Sequence, residues 1–278
     1  MIHIRRMTAA DIPLGMRLKE QAGWNQTEAD WLRFLDLEPD GCFVAEWNGE
    51  PVATTTTCIL GDVAWVAMVL VDARLRRHGI GTALMQQALR FLDERNVRSI
   101  RLDATPAGRP VYEKLGFVPD YQLARFDGIL PERGLSVEAK PLEVQALEAM
   151  IALDGEVTGA NRHKLLNFLF KATPELFLAV GGGNEFLGYV AMRAGSRAWQ
   201  IGPCIAKPVA AAKLLTAACR RCCGQPGFID IPMANQAATS LAESLGLTVQ
   251  RQLLRMHRGA PVPERIEDLW ASSGPEMG

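Results

Sequence analysis

The amino-acid sequence predicts an α/β (α+β) protein that consists of two domains with one shared fold. Three observations predict it. Segments with strand and helix periodicity alternate along the chain, the same order of segments starts twice, and short sequence matches recur at a nearly constant spacing. The length of 278 residues fits two domains of ordinary size, which usually have ~100–200 residues.

The composition argues against several classes of protein. Hydrophobic residues make up 48% and charged residues 22%, a balance typical of globular chains. Because 30 Lys and Arg face 31 Asp and Glu, sequence-independent binding of nucleic-acid phosphates is not expected. No apolar run approaches the ~20 residues that span a bilayer, and the first residues are typical of a strand and not of a signal peptide. We therefore expect a cytoplasmic protein with reduced cysteines and with no nucleic-acid or membrane partner.

The first half of the chain has the predicted order β-α-α-β-β-β-α-β-α-β. Thr27 begins a Ser/Thr-x-x-acid sequence that is typical of a capping box at the start of the second helix. Asn48-Gly49 indicates a hairpin between two strands. The apolar run from Val63 to Val71 is typical of a strand buried on both faces. A long helix is expected to follow it, from about Gly79 to Arg95.

The second half repeats this order after a Gly- and Pro-containing linker at residues 127–141. Helices are expected at 142–153, 162–171, 209–223 and 234–245, strands at 176–180, 187–193, 199–205 and 228–231, and a hairpin turn at 181–184. The matched segments are Phe43-Val44-Ala45 with Phe177-Leu178-Ala179, Ala64-Trp65 with Ala198-Trp199, and Leu115-Gly116-Phe117 with Leu245-Gly246-Leu247. The sequence therefore predicts a duplicated fold, with domains at 1–126 and 142–278, the latter including a tail.

One glycine-bearing turn points to a chemistry. The sequence Arg76-x-x-Gly79-x-Gly81 joins the buried strand to the long helix. Glycines there let backbone N–H groups approach an anion, and the helix N-terminus adds free amides and partial positive charge. Arg77 and His78 add further donors. Walker and dinucleotide-binding loops need glycine spacings that this segment lacks. We therefore expect this turn to bind a pyrophosphate, but not as part of either of those two motifs.

This turn resembles motif A of the GNAT superfamily of acyl-CoA-dependent N-acyltransferases, Gln/Arg-x-x-Gly-x-Gly/Ala. The segment from Asp103 to Phe117, which ends in Tyr-Glu-Lys-Leu-Gly-Phe, resembles motif B of the same family. The resemblance implies that each domain has a mixed, mostly antiparallel, twisted sheet flanked by helices. It also implies that acetyl-CoA lies between two splayed central strands.

The resemblance implies roles for individual residues. Val69 and Val71 would bind the pantetheine arm through their backbone, and the amides from Arg77 to Thr82 would receive the pyrophosphate. Tyr112 would protonate the departing CoA thiolate, a role that a nearby phenol can fill. The residues expected to bind acetyl-CoA are Val69, Val71, Arg76, Arg77, His78, Gly79, Ile80, Gly81 and Thr82.

The acceptor side is less defined by the sequence. Asp103 stands where motif B often has Asn, and it could bind the acceptor, cap the next helix or close the strand. Trp24 lies in a region that commonly covers the acceptor in this family. No general base is assigned, because the strand from Val63 to Val71 carries no carboxylate; Asp62, Asp72 and Glu46 only flank or neighbour it.

The second half resembles the C-terminal domain of a tandem-GNAT group, in Asp154 through Arg162, Ile201 through Ala206 and Asp230-Ile231-Pro232-x-x-Asn235. It lacks the glycines of motif A, Pro208 removes an N–H donor, and Ala242 replaces the tyrosine. We therefore expect a degenerate domain without a normal acetyl-CoA site. Asp230 and Asn235 could contact the acceptor, or could serve a turn and cap the next helix.

The predicted function is transfer of an acetyl group from acetyl-CoA to a primary amine by direct attack. The acceptor would be a small-molecule or peptide amine, and the chain a monomer or homodimer. The alternative is a non-catalytic acyl-CoA-binding or sensor protein. No metal is expected, because Cys219, Cys222 and Cys223 lack a nearby His and read as buried thiols on one helix.

Overall fold

The computed structural model describes residues 1–132, 139–182 and 185–278. It shows the predicted α/β class, as a mixed, mostly antiparallel sheet flanked by helices. The centre of the predicted linker and part of the predicted turn at 181–184 lie outside the described residues.

The first half follows the predicted order of elements. Its bounds are β1 Ile2–Arg6, α1 Ile12–Ala22, α2 Glu28–Leu37, β2 Phe43–Trp47, β3 Glu50–Leu60, β4 Val63–Val71, α3 Ile80–Asp93, β5 Ser99–Ala104, α4 Arg109–Lys114 and β6 Val118–Ile129. The predicted capping box is present, since the Asp30 carboxylate accepts from the Thr27 backbone N–H at 2.7 Å. Strand β6 continues three residues into the predicted linker.

The second half has three strands that the sequence pattern does not predict. Its bounds are β7 Lys140–Pro141, α5 Leu147–Thr158, α6 His163–Ala172, β8 Phe177–Gly182, β9 Glu185–Ala194, β10 Trp199–Ala206, α7 Pro208–Arg221, β11 Pro226–Pro232, α8 Gln236–Ser244, β12 Thr248–Gly259 and β13 Leu269–Ala271. The missed strands are β7, β12 and β13. The first helix begins at Leu147 and not at the expected Leu142, because β7 and a short 3-10 turn precede it.

The two halves exchange one strand each. The sheet has the order β1-β2-β3-β4-β5-β12-β6-β11-β10-β9-β8-β7, with β13 paired to β10. Strand β12 lies between β5 and β6, and β6 lies between β12 and β11; all these pairs are antiparallel. Each half of the sheet therefore contains a strand from the other half of the chain. The division at 1–126 and 142–278 remains a prediction about the sequence repeat.

Hydrophobic cores cover both faces of the sheet. Helices α1, α2, α5 and α6 share one large core, which includes Trp31, Phe34 and Trp65. Helix α3 packs on the opposite face of the first half through Ile80 and Leu84, and α7 and α8 pack there in the second half. Different helices cover the two faces of the sheet. A gap between central strands therefore connects one face of the sheet with the other.

Among the described strands, two neighbouring pairs are parallel, and the strands of each pair separate after three paired residues. Strands β4 and β5 pair only from Val63 to Trp65 and then diverge; we call this gap the first cleft. Strands β10 and β11 pair only from Trp199 to Ile201 and then diverge, which forms the second cleft. Each half of the sheet thus contains one parallel strand pair that diverges in the same way.

Candidate active site

The first cleft opens into a cavity of about 730 Å³ that passes between β4 and β5. Its wall includes residues 66–71 of β4, Leu102 and Asp103 of β5, the loop before α3, and Tyr112 of α4. A register shift opposite Thr55 places a bulge in β4, where Met68 has a φ of 51°. A bulge interrupts the ladder and redirects backbone groups, so this stretch of β4 can bind an extended ligand through its main chain.

The loop before α3 and the first residues of that helix, together residues 76–82, form a cradle at one end of the cavity. Gly79 precedes α3 with a φ of 79°, and Arg77 has a φ of 66°, a conformation that costs energy for a residue with a side chain. The first amides of a helix have no carbonyl partner within it. A Cβ at Gly79 would meet no atom within 4 Å, so this surface is open to a ligand.

The predicted acetyl-CoA residues converge here with one exception. Val69, Val71, Arg76, Arg77, Gly79, Ile80, Gly81 and Thr82 line the cavity. His78 does not, because its Nδ1 lies 3.0 Å from the Arg76 carbonyl oxygen and its ring packs against Trp47 at a centroid distance of 5.6 Å. His78 therefore shapes the loop and does not extend the cavity wall.

Asp72 holds the backbone in place between the end of β4 and the cradle. Its fully buried carboxylate accepts from the backbone N–H of Arg74 at 3.1 Å and pairs with the guanidinium groups of Arg74 and Arg17. The hydrogen bond from Arg74 holds the pKa of this carboxyl well below its usual range. Asp72 is thus ionised and fully engaged, which argues against a role as general base.

Tyr112 presents a free hydroxyl to the cavity. It forms no hydrogen bond with a residue that the structure describes, while its ring packs against Phe117 at 6.0 Å. Burial raises the pKa of Tyr112 to about 12. The phenol is therefore protonated at neutral pH. A Cβ at Gly108 would lie 3.3 Å from the hydroxyl oxygen, so a glycine there keeps space around it.

The cavity wall across the sheet from α3 comes from distant parts of the chain. It includes Trp24, Gln26, Arg251, Leu253, Pro275 and Glu276. The buried Glu276 carboxylate accepts from Arg193 at 2.9 Å and from Gln26 Nε2 at 3.1 Å. Trp24 was predicted at this site. The sequence pattern does not predict Arg251 and Glu276, because Arg251 reaches the cavity on the exchanged strand β12 and Glu276 lies in the tail after β13, held by the distant residues Arg193 and Gln26.

Asp103 lies in the cavity wall but is already paired. Its side chain is buried, and its two oxygens accept from Arg255 of β12 at 2.9 and 3.0 Å. It does not cap α4, which begins six residues later. Asp103 thus anchors the exchanged strand to β5, next to the cavity.

Asp230 and Asn235, predicted either to contact the acceptor or to serve a turn and cap a helix, lie outside the described cavity wall. Asp230 accepts two hydrogen bonds from Arg125 of the exchanged strand β6, at 2.8 and 2.7 Å. Asn235 caps α8 by accepting from the Ala238 N–H at 3.1 Å, and its Nδ2 donates to the Leu269 carbonyl at 3.1 Å. Both side chains are buried and fully used in holding strands and helices together.

The second cleft is filled by the chain itself. Strand β13 pairs with β10, with Cys204 opposite Ala271, and the Ser272 N–H donates to the Asp230 carbonyl of β11 at 2.8 Å. A Cβ at Gly202 would lie 2.1 Å from the Ser272 carbonyl oxygen, so this close approach requires a glycine. Pro208 at the start of α7 also lacks a backbone N–H group. The second cleft therefore has neither an open space between its strands nor a cradle like residues 76–82.

Among the described residues, the other acidic side chains and the cysteines form no second catalytic or metal site. Asp62 pairs with Arg98 at 2.9 Å, and Glu46 pairs with Arg5 at 2.7 Å. Within the described ranges no cluster of His, Cys, Asp and Glu could hold a metal ion, and no helix is long and apolar enough to cross a membrane. Cys219 and Cys222 are buried as expected. Cys223, expected to be buried on the same helix, is exposed, and α7 ends before it, at Arg221.

Two family models match the chain. The model described as Acetyltransferase (GNAT) family matches residues 14–117, and the one described as Acetyltransferase (GNAT) domain matches residues 150–271. The chain belongs to the GNAT superfamily. Each half carries one GNAT domain, as the resemblance predicted, and the protein is a GNAT-type acyltransferase.

Similar proteins extend over both GNAT domains. The chain is 25% identical to the Holothin acyltransferase of Pseudoalteromonas sp. (strain SANK 73390), covering 92% of this chain and 87% of that protein. It is 29% identical to the uncharacterized N-acetyltransferase YitH of Bacillus subtilis (strain 168), with 83% and 81% covered. A putative acetyltransferase from Pyrococcus horikoshii superposes with a TM-score of 0.85 at 23% identity, over 100% of this chain and 96% of the other.

A tandem GNAT protein from the clavulanic acid biosynthesis pathway superposes with a TM-score of 0.65 at 11% identity, over 95% of this chain and 100% of that one. At these low identities the two structural likenesses show the fold. They confirm that the tandem arrangement of two GNAT domains occurs in a solved structure of similar extent.

Proposed function

We propose that this GNAT protein is an acetyl-CoA-dependent N-acetyltransferase with one active site, in the first cleft. The observation that carries the proposal is a cavity that joins the cradle to the surface across the sheet. Acetyl-CoA would enter from the α3 side, with its pyrophosphate at residues 76–82 and its pantetheine arm along Val69 and Val71. The acceptor amine would enter from the side of Trp24 and Glu276.

The chemistry is a direct transfer between two bound substrates. The amine nitrogen attacks the thioester carbonyl carbon and forms a tetrahedral intermediate. The C–S bond then breaks, and the Tyr112 hydroxyl donates its proton to the departing thiolate. The proton lost from the nitrogen returns to Tyr112 through solvent, so the products are the acetylamide and free CoA.

The amine would reach the thioester as a neutral nucleophile. Asp62, Asp72 and Glu46 are each paired with arginine, so none of these carboxylates is a suitable base. We propose that the amine binds in its neutral form or loses its proton to water. The similarity to a named acyltransferase over both domains supports catalysis over a sensor role.

Thiol release tests the proposal. The purified protein is incubated with acetyl-CoA and a panel of primary amines, and free CoA is measured. We expect release that depends on both protein and amine. Binding of acetyl-CoA without release on any amine would favour the sensor alternative.

The pH dependence of the rate should show no loss of the general acid near neutrality. Tyr112 must be protonated to act, and with a pKa of about 12 it loses its proton only at strongly alkaline pH. The rate at saturating acetyl-CoA should therefore rise as the amine deprotonates and show no decline up to about pH 10. Initial rates from pH 6 to 10 check this. A decline centred below pH 9 would indicate a different acid.

A further inference from the structure

Arg251 is an unpaired cation in the acceptor side of the cavity. Its side chain lines the wall and forms no hydrogen bond or ion pair with any residue that the structure describes. Its Nε is buried without a partner. Burial lowers the pKa of Arg251 to about 10, and the nearby Arg125 adds to this effect. The group is nevertheless still charged at neutral pH.

The other buried and half-buried arginines of this region are paired. Each contacts a carboxylate within 3.2 Å, in the pairs Arg33–Asp30, Arg101–Glu264, Arg125–Asp230, Arg162–Asp154, Arg193–Glu276 and Arg255–Asp103. An unpaired charge away from water is costly, and proteins normally avoid it. The carboxylates of Asp230 and Glu276, whose charges act on Arg251, are already paired with Arg125 and Arg193. This leaves one excess positive charge in the wall.

A bulge in β12 aims Arg251 into the cavity. Val249 lies opposite Phe126 and Arg251 opposite Arg125, so that Gln250 is an extra residue. Such a bulge moves the following side chains to the other face of the strand. Arg251 and Leu253 consequently share a face with Arg255, whose guanidinium lies 4.7 Å from the Trp65 ring in the core of α1 and α2. This is the side of the sheet opposite α3.

From these observations we propose that Arg251 binds a carboxylate of the acceptor, so that the acceptor is an amine that also carries a carboxylate group. The inference rests on the proposed function and specifies its substrate class. A guanidinium matches a carboxylate with two parallel hydrogen bonds. The apolar wall formed by Trp24, Leu253 and Pro275 would contact the carbon skeleton between the two groups.

Matched pairs of amines test the inference. Amino acids and their carboxamides are compared by calorimetric binding in the presence of CoA, and by kcat/KM from thiol release. The wild-type protein should bind the carboxylates about 10- to 100-fold more tightly than the carboxamides. Arg251→Gln should remove most of this preference and raise KM for the carboxylates, whereas Arg251→Lys should retain part of it.

Acetyl-CoA affinity serves as the control for folding, since Arg251 lies away from the cradle. Failure of every carboxylate in the panel to bind the wild-type protein would overturn the inference, as would equal binding of acids and amides. A preference that survives Arg251→Gln would overturn it too. The proposed function is tested separately, because acetyl-CoA binding and thiol release on carboxylate-free amines can succeed when this inference fails.

Discussion

Gly81→Asp should weaken acetyl-CoA binding about 1,000-fold. Gly81 lies in the first turn of α3, and the nearest atom to an added Cβ is Val71 Cγ2 at 3.5 Å, which is ordinary contact. The substitution therefore fits the fold but adds a carboxylate at the proposed pyrophosphate site. Repulsion between two like charges ~4 Å apart near a protein surface is about 4 kcal/mol. We expect the Kd for acetyl-CoA to rise about 1,000-fold, as measured by calorimetry.

Gly81→Asn is the matched control, because Asn has almost the same size and no charge. It should weaken binding far less than Asp does. If both variants bind acetyl-CoA as the wild type does, residues 76–82 do not hold the pyrophosphate. If both lose binding equally, steric exclusion and not charge repulsion explains the loss.

Tyr112→Phe should lower kcat by roughly 10²- to 10⁴-fold, the usual contribution of a general acid. The hydroxyl forms no hydrogen bond with a described residue, and the ring contact with Phe117 is kept in the variant. We therefore expect acetyl-CoA affinity and thermal stability to stay close to those of the wild type. Steady-state kinetics with saturating amine, together with calorimetry and a melting curve, separate these quantities.

The size of this effect discriminates between two sources of the proton. An unchanged kcat in Tyr112→Phe would mean that water or another group protonates the thiolate. Loss of rate together with loss of acetyl-CoA affinity would mean that Tyr112 mainly shapes the cavity, through its packing against Gly108 and Phe117.

Local sequence patterns were sufficient for the fold class and for the cradle. Alternating strand and helix signals, the capping box at Thr27 and the Arg76-x-x-Gly79-x-Gly81 turn depend on neighbouring residues, and each is present in the structure. His78 is the exception within the cradle. Its direction depends on Trp47, a contact that the local sequence does not reveal.

The strand exchange depends on contacts between distant segments and has no local signal. The repeat spacing that relates Leu115 to Leu245 also relates β6, which begins at Val118, to β12, which begins at Thr248. That spacing could have predicted β12 as a strand. It could not have shown that β12 pairs with β5, because the partner of a strand depends on the whole sheet.

The acceptor side of the cavity was the least predictable part. Asp230 and Asn235 have the polarity of binding residues, but ion pairing with Arg125 and helix capping engage them. Arg251 and Glu276 reach the wall through the exchanged strand and the tail. Sequence alone gives no distance between Glu276 and Gln26, so their hydrogen bond could not be foreseen.

The stoichiometry of acetyl-CoA binding tests the central claim of one active site in two GNAT domains. Titration calorimetry on the full chain should give one acetyl-CoA per chain, because β13 fills the second cleft and Pro208 alters its helix start. The same titration on Gly81→Asp should show binding that is about 1,000-fold weaker. Two molecules per chain, or one molecule that binds to Gly81→Asp as tightly as to the wild type, would contradict the account.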